Sequence, residues 1–233
     1  MKRLTSFFIC WLLLIALVQA QPKTVEKTLK VPANKRVDLQ LKFGDNIKIT
    51  AWDKKEASVK VTYEVNGGKL NDALLVNFNE DQTSARVKVD FDKELMKNGK
   101  ADDCRDSKGY STYNDGSRSY ACSTINYEIF VPRDADLTVE TINGNIEIRG
   151  VTGPVAAKSI NGFVDMNWAA KKGAGVSLKT ITGEVYSDLD IAFTNKKEEA
   201  PMVGYQLKGN VSGGGTDIKL ESISNNVYLR KQN

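Results

Sequence analysis

Four stretches of this chain align without gaps over twelve positions, and that repeat restricts its fold more than any other feature. They are 137–148 (LTVETINGNIEI), 155–166 (VAAKSINGFVDM), 176–187 (VSLKTITGEVYS) and 218–229 (IKLESISNNVYL). Each has apolar or small residues at positions one and three, Thr or Ser at five, Ile at six, and Ile or Val at ten. Alternation of period two is the pattern of a strand with one buried face. Position eight is Gly144, Gly162, Gly183 and Asn225. Gly and Asn tolerate positive φ, so the chain is expected to turn there between two strands. The predicted unit is strand, tight turn, strand.

The units begin 18, 21 and 42 residues apart. A period near 20 residues is the signature of stacked architectures, in which each unit buries its apolar face against its neighbours. The wide last interval predicts one degenerate rung at 205–211, with the polar stretch 195–201 looping out. The first half repeats the construction less regularly. Residues 37–49 alternate around Gly44, and Val59, Val61, Tyr63 and Val65 share one face. The fold class expected is all-β, a β-solenoid or β-helix-like stack of strand-turn-strand repeats, with a β-sandwich of meandering hairpins as the alternative.

Lys2 and Arg3 precede an apolar run at 7–18 and a small-residue site ending at Ala20, which is the three-part layout of a secretory signal peptide. Residues 1–20 are expected to leave on export, and 21–233 to form a single β-repeat domain. The apolar run falls short of the roughly 20 residues a spanning helix needs, so no stable membrane span is expected after cleavage. Lys and Arg number 33 against 29 Asp and Glu, with both signs interspersed. A nucleic-acid binder concentrates its basic residues on a face or stripe, so no nucleic-acid partner is expected.

Cys10 lies within the signal, leaving Cys104 and Cys122. Export places them in an oxidising compartment, where one bridge is possible. The intervening stretch has no apolar periodicity and is dense in turn formers, so it reads as a long surface loop, an insertion at 104–122 closed by a disulfide. Tyr110, Tyr113 and Tyr120 stand among Ser, Asn, Asp and Gly, the composition of a binding loop. They are the candidate ligand-binding residues; the alternative is an insertion that only braces the fold. Asp102, Asp103, Asp106 and Asp115 match no calcium-loop spacing, and no metal is expected.

The chain has no histidine, which removes the commonest general base, the usual triad partner and the commonest metal ligand. Glu184, Asp188 and Asp190 are the acids a glycosidase or lyase pair would draw on, but outward strand carboxylates usually serve solvation. Gly213-Gly214-Gly215-Thr216 lacks the Lys-Ser/Thr that closes a phosphate loop and reads as a turn. Trp52 and Trp168 have two readings, sugar-stacking platforms or packed aromatics, and the second is favoured. Neither catalytic residues nor a cofactor are expected.

The Thr/Ser-Ile-Asn/Thr-Gly-x-Ile/Val units, with the segment FGDNIKITAWD at 43–53, resemble the bacterial putative-adhesin family of exported β-strand-repeat proteins. They are similar in style to the head domains of autotransporter adhesins. The likeness runs from about residue 25 to 229 and implies a solenoid-like fold and adhesion, with no catalytic residues. The insertion at 104–122 stands outside its repeat pattern. The function expected is that of a non-enzymatic exported adhesin or binding scaffold, periplasmic or at the cell surface, recognising a glycan or an envelope or host protein. A polysaccharide lyase or hydrolase on a β-helix and a structural envelope protein are the alternatives.

Overall fold

The computed structural model describes residues 22–104, 110–114, 117–195 and 204–232, so the expected signal peptide at 1–20 lies outside the described residues. In chain order the strands are β1 Lys23–Lys30, β2 Arg36–Leu41, β3 Phe43–Trp52, β4 Glu56–Val65, β5 Leu74–Glu80, β6 Ala85–Phe91, β7 Tyr110–Asn114, β8 Ser117–Ala121 and β9 Ser123–Pro132. They continue as β10 Asp136–Arg149, β11 Val155–Asn161, β12 Val164–Trp168, β13 Ala174–Lys179, β14 Val185–Ser187, β15 Ile191–Phe193, β16 Gln206–Val211, β17 Thr216–Ser222 and β18 Val227–Lys231. The one α-helical turn among the described residues, Lys93–Met96, is capped by Asp92, whose side chain accepts from the Glu94 and Leu95 N–H groups. No helix among the described residues is long and apolar enough to cross a membrane.

Strand formation follows the alternation. In β4, Ala57, Val59, Val61, Tyr63 and Val65 are buried while the intervening residues are half-buried, the period-two pattern that branched and aromatic side chains suit. Sixteen strands join in one large mixed sheet that does not close, and β7 and β8 form a separate pair.

The centre of the large sheet is β10, which belongs to two arms at once. Its first half runs parallel to β2 and β11, with Leu137 opposite Val37 and Val155. Its second half runs parallel to β3 and β12, with Ile146 opposite Ile47 and Val164. The first arm reads β5-β6-β2-β10-β11-β17-β13-β16-β15, and the second β1-β4-β9-β3-β10-β12-β18-β14. Leu137 and Val139 from one half of β10 and Ile146 and Ile148 from the other lie in the same hydrophobic cluster.

One residue step at the corner makes this possible. Leu137, Val139 and Thr141 are buried, and after the corner Gly144, Ile146 and Ile148 are. The odd spacing from Thr141 to Gly144 shifts the alternation, so both halves turn the same side to the core. The β3–β10 register slips at the same place, between Asn143 and Asn145, as a bulge does.

Two expectations need correction. The parallel units stack in the order 137, 155, 218, 176, because β17 lies between β11 and β13; a solenoid would wind them in chain order. The rung expected at 205–211 is β16, which runs antiparallel to β13, with Val176 opposite Gly209. The cause is a chain reversal. After β14 the chain returns as β15 and β16 along the outer edge of β13, leaving β17 the edge between β13 and β11. Gly213, Gly214 and Gly215, at φ 85°, 89° and 141°, make the turn from β16 to β17.

The glycine column also has a different cause from the one expected. Gly162, Gly183 and Asn225 lie at bends, but of the four column residues only Gly144 has positive φ, 141°. What excludes a side chain is the neighbouring corner. A Cβ on Gly162 would collide with the Gly144 carbonyl oxygen, one on Gly183 with that of Asn225, and one on Gly144 would come within 2.8 Å of the Gly44 carbonyl. The position-five hydroxyls complete the stack: Ser159 Oγ donates to Gly144 O at 2.8 Å, Ser222 Oγ to Gly162 O at 2.8 Å, and Thr180 Oγ1 to Asn225 O at 2.6 Å. The corner carbonyls, those of Gly144 and Gly162 in buried residues, thereby gain donors.

Candidate functional site

Where a surface loop was expected between the cysteines, the described residues 110–114 and 117–121 pair as two antiparallel strands, a hairpin. Tyr110 pairs with Ala121, Ser111 with Tyr120, Thr112 with Ser119, and Tyr113 with Arg118. Neither strand joins the large sheet. Without a core to face, the sequence shows no apolar alternation, which is why the ladder was not legible. The Asp115-Gly116 pair is a hairpin signal that does identify it.

The base of this hairpin is built into the body. The Cys104–Cys122 disulfide joins its two ends, with Cα atoms 5.7 Å apart. Asn66, fully buried and at φ 48°, forms the other half of the clamp. Its Nδ2 donates to Tyr120 O at 2.8 Å, its Oδ1 accepts from the Cys122 N–H at 3.1 Å, and its own N–H donates to Cys122 O at 2.9 Å. Asn is among the few side chains that adopt this left-handed conformation readily. The Tyr120 N–H donates to Gly99 O at 3.0 Å. Below it, the Asp103 carboxylate, 4% exposed, accepts from Lys69 Nζ at 2.5 Å. That hydrogen bond, with one from the Lys100 N–H, holds Asp103 below the usual carboxylate range against the opposing effect of burial.

Of the candidate tyrosines, Tyr120 is half-buried, with the Arg118 guanidinium 5.1 Å from its ring centre. The side chains of Tyr110 and Tyr113, like Asp106 and Asp115, lie outside the described residues. No group of three or more His, Cys, Asp or Glu is placed to hold a metal ion among the described residues.

The remaining candidates lie in strands or beside them. Trp168 is a core residue, 1% exposed, donating from Nε1 to Lys172 O. Trp52 is half-buried, stacked on Phe130 at 5.3 Å, with Lys54 Nζ 4.5 Å from its ring. Among the three acids weighed for hydrolysis, Glu184 accepts the Tyr186 hydroxyl and Asp188 accepts the Lys231 N–H at 2.5 Å.

Two outer surfaces had not been singled out from the sequence. On the first arm, a groove of about 270 Å³ is lined by residues that include Gln40, Lys42, Glu140, Ile142, Lys158 and Ile160. On the second arm, Tyr186 and Tyr228 form an aromatic column. The signal for it was the tyrosine at position eleven of two aligned units.

No family model matches the chain, and no curated protein does. Among solved structures, a putative cell adhesion protein from Clostridium sporogenes is similar over 91% of this chain and 100% of its own, with a TM-score of 0.51 and 10% identity. A putative adhesin from Bacteroides fragilis covers 92% of this chain and 100% of its own, with a TM-score of 0.30 and 13% identity. A putative lipid binding protein from Parabacteroides distasonis covers 91% and 97%, with a TM-score of 0.23 and 10% identity. The Clostridium sporogenes likeness is one of fold.

Proposed function

We propose that the chain is a non-enzymatic, exported binding scaffold of the cell envelope, periplasmic or at the surface, which presents the β7–β8 hairpin to a glycan or to an envelope or host protein. The clamp at the hairpin base carries this reading. A lone two-stranded hairpin is at best marginally stable in water, yet here a disulfide and a buried asparagine fix one that the large sheet does not include. Ordered loops on a rigid support are where recognition residues concentrate. Tyr110, Tyr113 and Tyr120 supply contact area at little entropic cost. The stacked parallel units act as the rigid support. The name borne by the Clostridium sporogenes neighbour points the same way.

The test replaces residues 105–120 by a short Gly-Ser linker and keeps both cysteines. Wild type and variant are then compared on a glycan array and in pull-downs from envelope and host-cell extracts. The expected outcome is loss of binding with the thermal transition of the body retained. Equal binding by a folded linker variant would overturn the reading.

A further inference from the structure

We propose that the outer face of the second arm carries a separate saccharide site at its β14 edge, built on Tyr186 and Tyr228 and suited to a neutral pyranose. It rests on the reading of the chain as a binding scaffold, but not on the hairpin.

In the first, second and fourth units position eleven lies between buried positions ten and twelve, so its side chain points away from the core; in the third, at the sheet edge, Tyr186 is itself exposed. The stacking order places Glu147, Asp165, Tyr228 and Tyr186 in one row across β10, β12, β18 and β14. Parallel strands stand about 4.8 Å apart, close to the spacing of stacked rings. Two tyrosines in that row therefore form a column, with centroids 5.2 Å apart and planes 11° from parallel.

The inner end of the column is held from several directions. Phe163 meets Tyr228 edge-on at 6.1 Å, and Asn226 Nδ2 lies 2.9 Å from the Tyr228 hydroxyl and donates to it. The Arg230 guanidinium sits 4.5 Å from the Tyr228 ring centre, while its Nε donates to Asp165 Oδ2 at 2.9 Å. Asp165, 7% exposed, also accepts from Arg149 Nη1 at 3.0 Å. A buried carboxylate shared by two arginines gives the column a preorganised base.

Among the described residues the outer end is open: β14 pairs only with β18, and Tyr186 is 45% exposed. The next layer of the column, one ring spacing beyond Tyr186, suits a ring-sized ligand with an electropositive C–H face and a rim of hydroxyls. A pyranose has both: its axial C–H groups meet the negative face of the ring, and its hydroxyls reach the Glu184 carboxylate. That carboxylate accepts the Tyr186 hydroxyl, a hydrogen bond that raises the phenol's pKa.

Charge selects among saccharides. The cations beside the row, Arg149 and Arg230, are engaged by Asp165 and Glu147, and the charged residues within four positions of Tyr186 are all acids, Glu184, Asp188 and Asp190. Such an edge accepts hydroxyl donors and repels uronates and sulfates.

The purified protein would be titrated calorimetrically with maltohexaose, cellohexaose, mannohexaose and laminarihexaose, and with polygalacturonate and heparin oligosaccharides. Binding of at least one neutral oligosaccharide is expected, weakened about tenfold or more by Tyr186→Ala and within about threefold of wild type in Tyr186→Phe. The linker variant lacking the hairpin is expected to bind it unchanged, so failure of the hairpin reading and failure of this one are told apart. Binding of acidic oligosaccharides alone, no neutral binding, or unaltered binding by Tyr186→Ala would overturn the site. Should Tyr186→Ala fail to fold, ring-proton shifts of Tyr186 and Tyr228 in the wild type on adding oligosaccharide decide it, and their absence would refute it.

Discussion

At Gly162 the space for a side chain is taken by the carbonyl oxygen of Gly144 in the adjoining corner, while its own backbone lies outside the positive-φ region. The obstacle is backbone on both sides, so neither partner yields by turning a rotamer. Gly162→Ala is therefore expected to destabilise the fold by about 3 kcal/mol or more, measured as a lowered denaturation midpoint. Gly175, on β13, provides the contrast: a Cβ there would make its closest contact with Asp217 Oδ1 at 3.4 Å and meet no strained φ. Gly175→Ala is expected to stay within about 1 kcal/mol of wild type. A similar loss at both positions would show that the stacked corners are not what demands glycine. The column was legible as Gly, Gly, Gly, Asn, but its cause was not, because a collision with another unit's carbonyl leaves no mark in the local sequence.

The hairpin and its clamp behave as an element with its own stability. Closing the loop between Cys104 and Cys122, 18 residues apart, contributes about 3 kcal/mol in the chain-entropy account. The Asp103–Lys69 pair adds a smaller, pH-dependent part. Asp103 is depressed in the folded state by Lys69, so its contribution is full above the unfolded carboxylate value near 3.8 and is lost as pH falls through the lower folded value. Lys69 is largely exposed, which limits the effect to about 1 kcal/mol or less. Lys69→Met is expected to be less stable than wild type at pH 6, with the difference closing as pH falls below the unfolded value near 3.8, as read from urea midpoints across that range. A difference that persists or widens in acid would remove the ion pair from the account. The cysteine pairing was legible because only two cysteines lie outside the apolar N-terminal run. The hairpin was masked because polar strands without a buried face carry no periodicity.

For the whole molecule, β10 is the member that both arms share, and the core runs through them without a break. Neither arm keeps its inner face covered without the other, so unfolding is expected as one calorimetric transition, with the van't Hoff enthalpy matching the measured one. Ile146 is fully buried in the second half of β10. Ile146→Ala is expected to cost about 3 kcal/mol and to lower that transition without splitting it. Two separated transitions would show instead that the arms fold independently. Pairing β2 with β10 brings Val37 beside Leu137, a long closure that is expected to slow refolding to milliseconds or longer in stopped-flow experiments.

The sequence alone determined what depends on neighbours along the chain: strands with one buried face, a corner at position eight, and a candidate disulfide between Cys104 and Cys122. Tertiary structure decided which units became neighbours. Once β16 had taken the outer edge of β13 in antiparallel sense, β17 paired between β13 and β11, and the last unit came to rest between the second and third. Tyr186 and Tyr228 occupy the same position of the repeat, yet they stack only because of that insertion. An alignment defines which residues share a row; the edge that is open when the chain returns defines which of them touch.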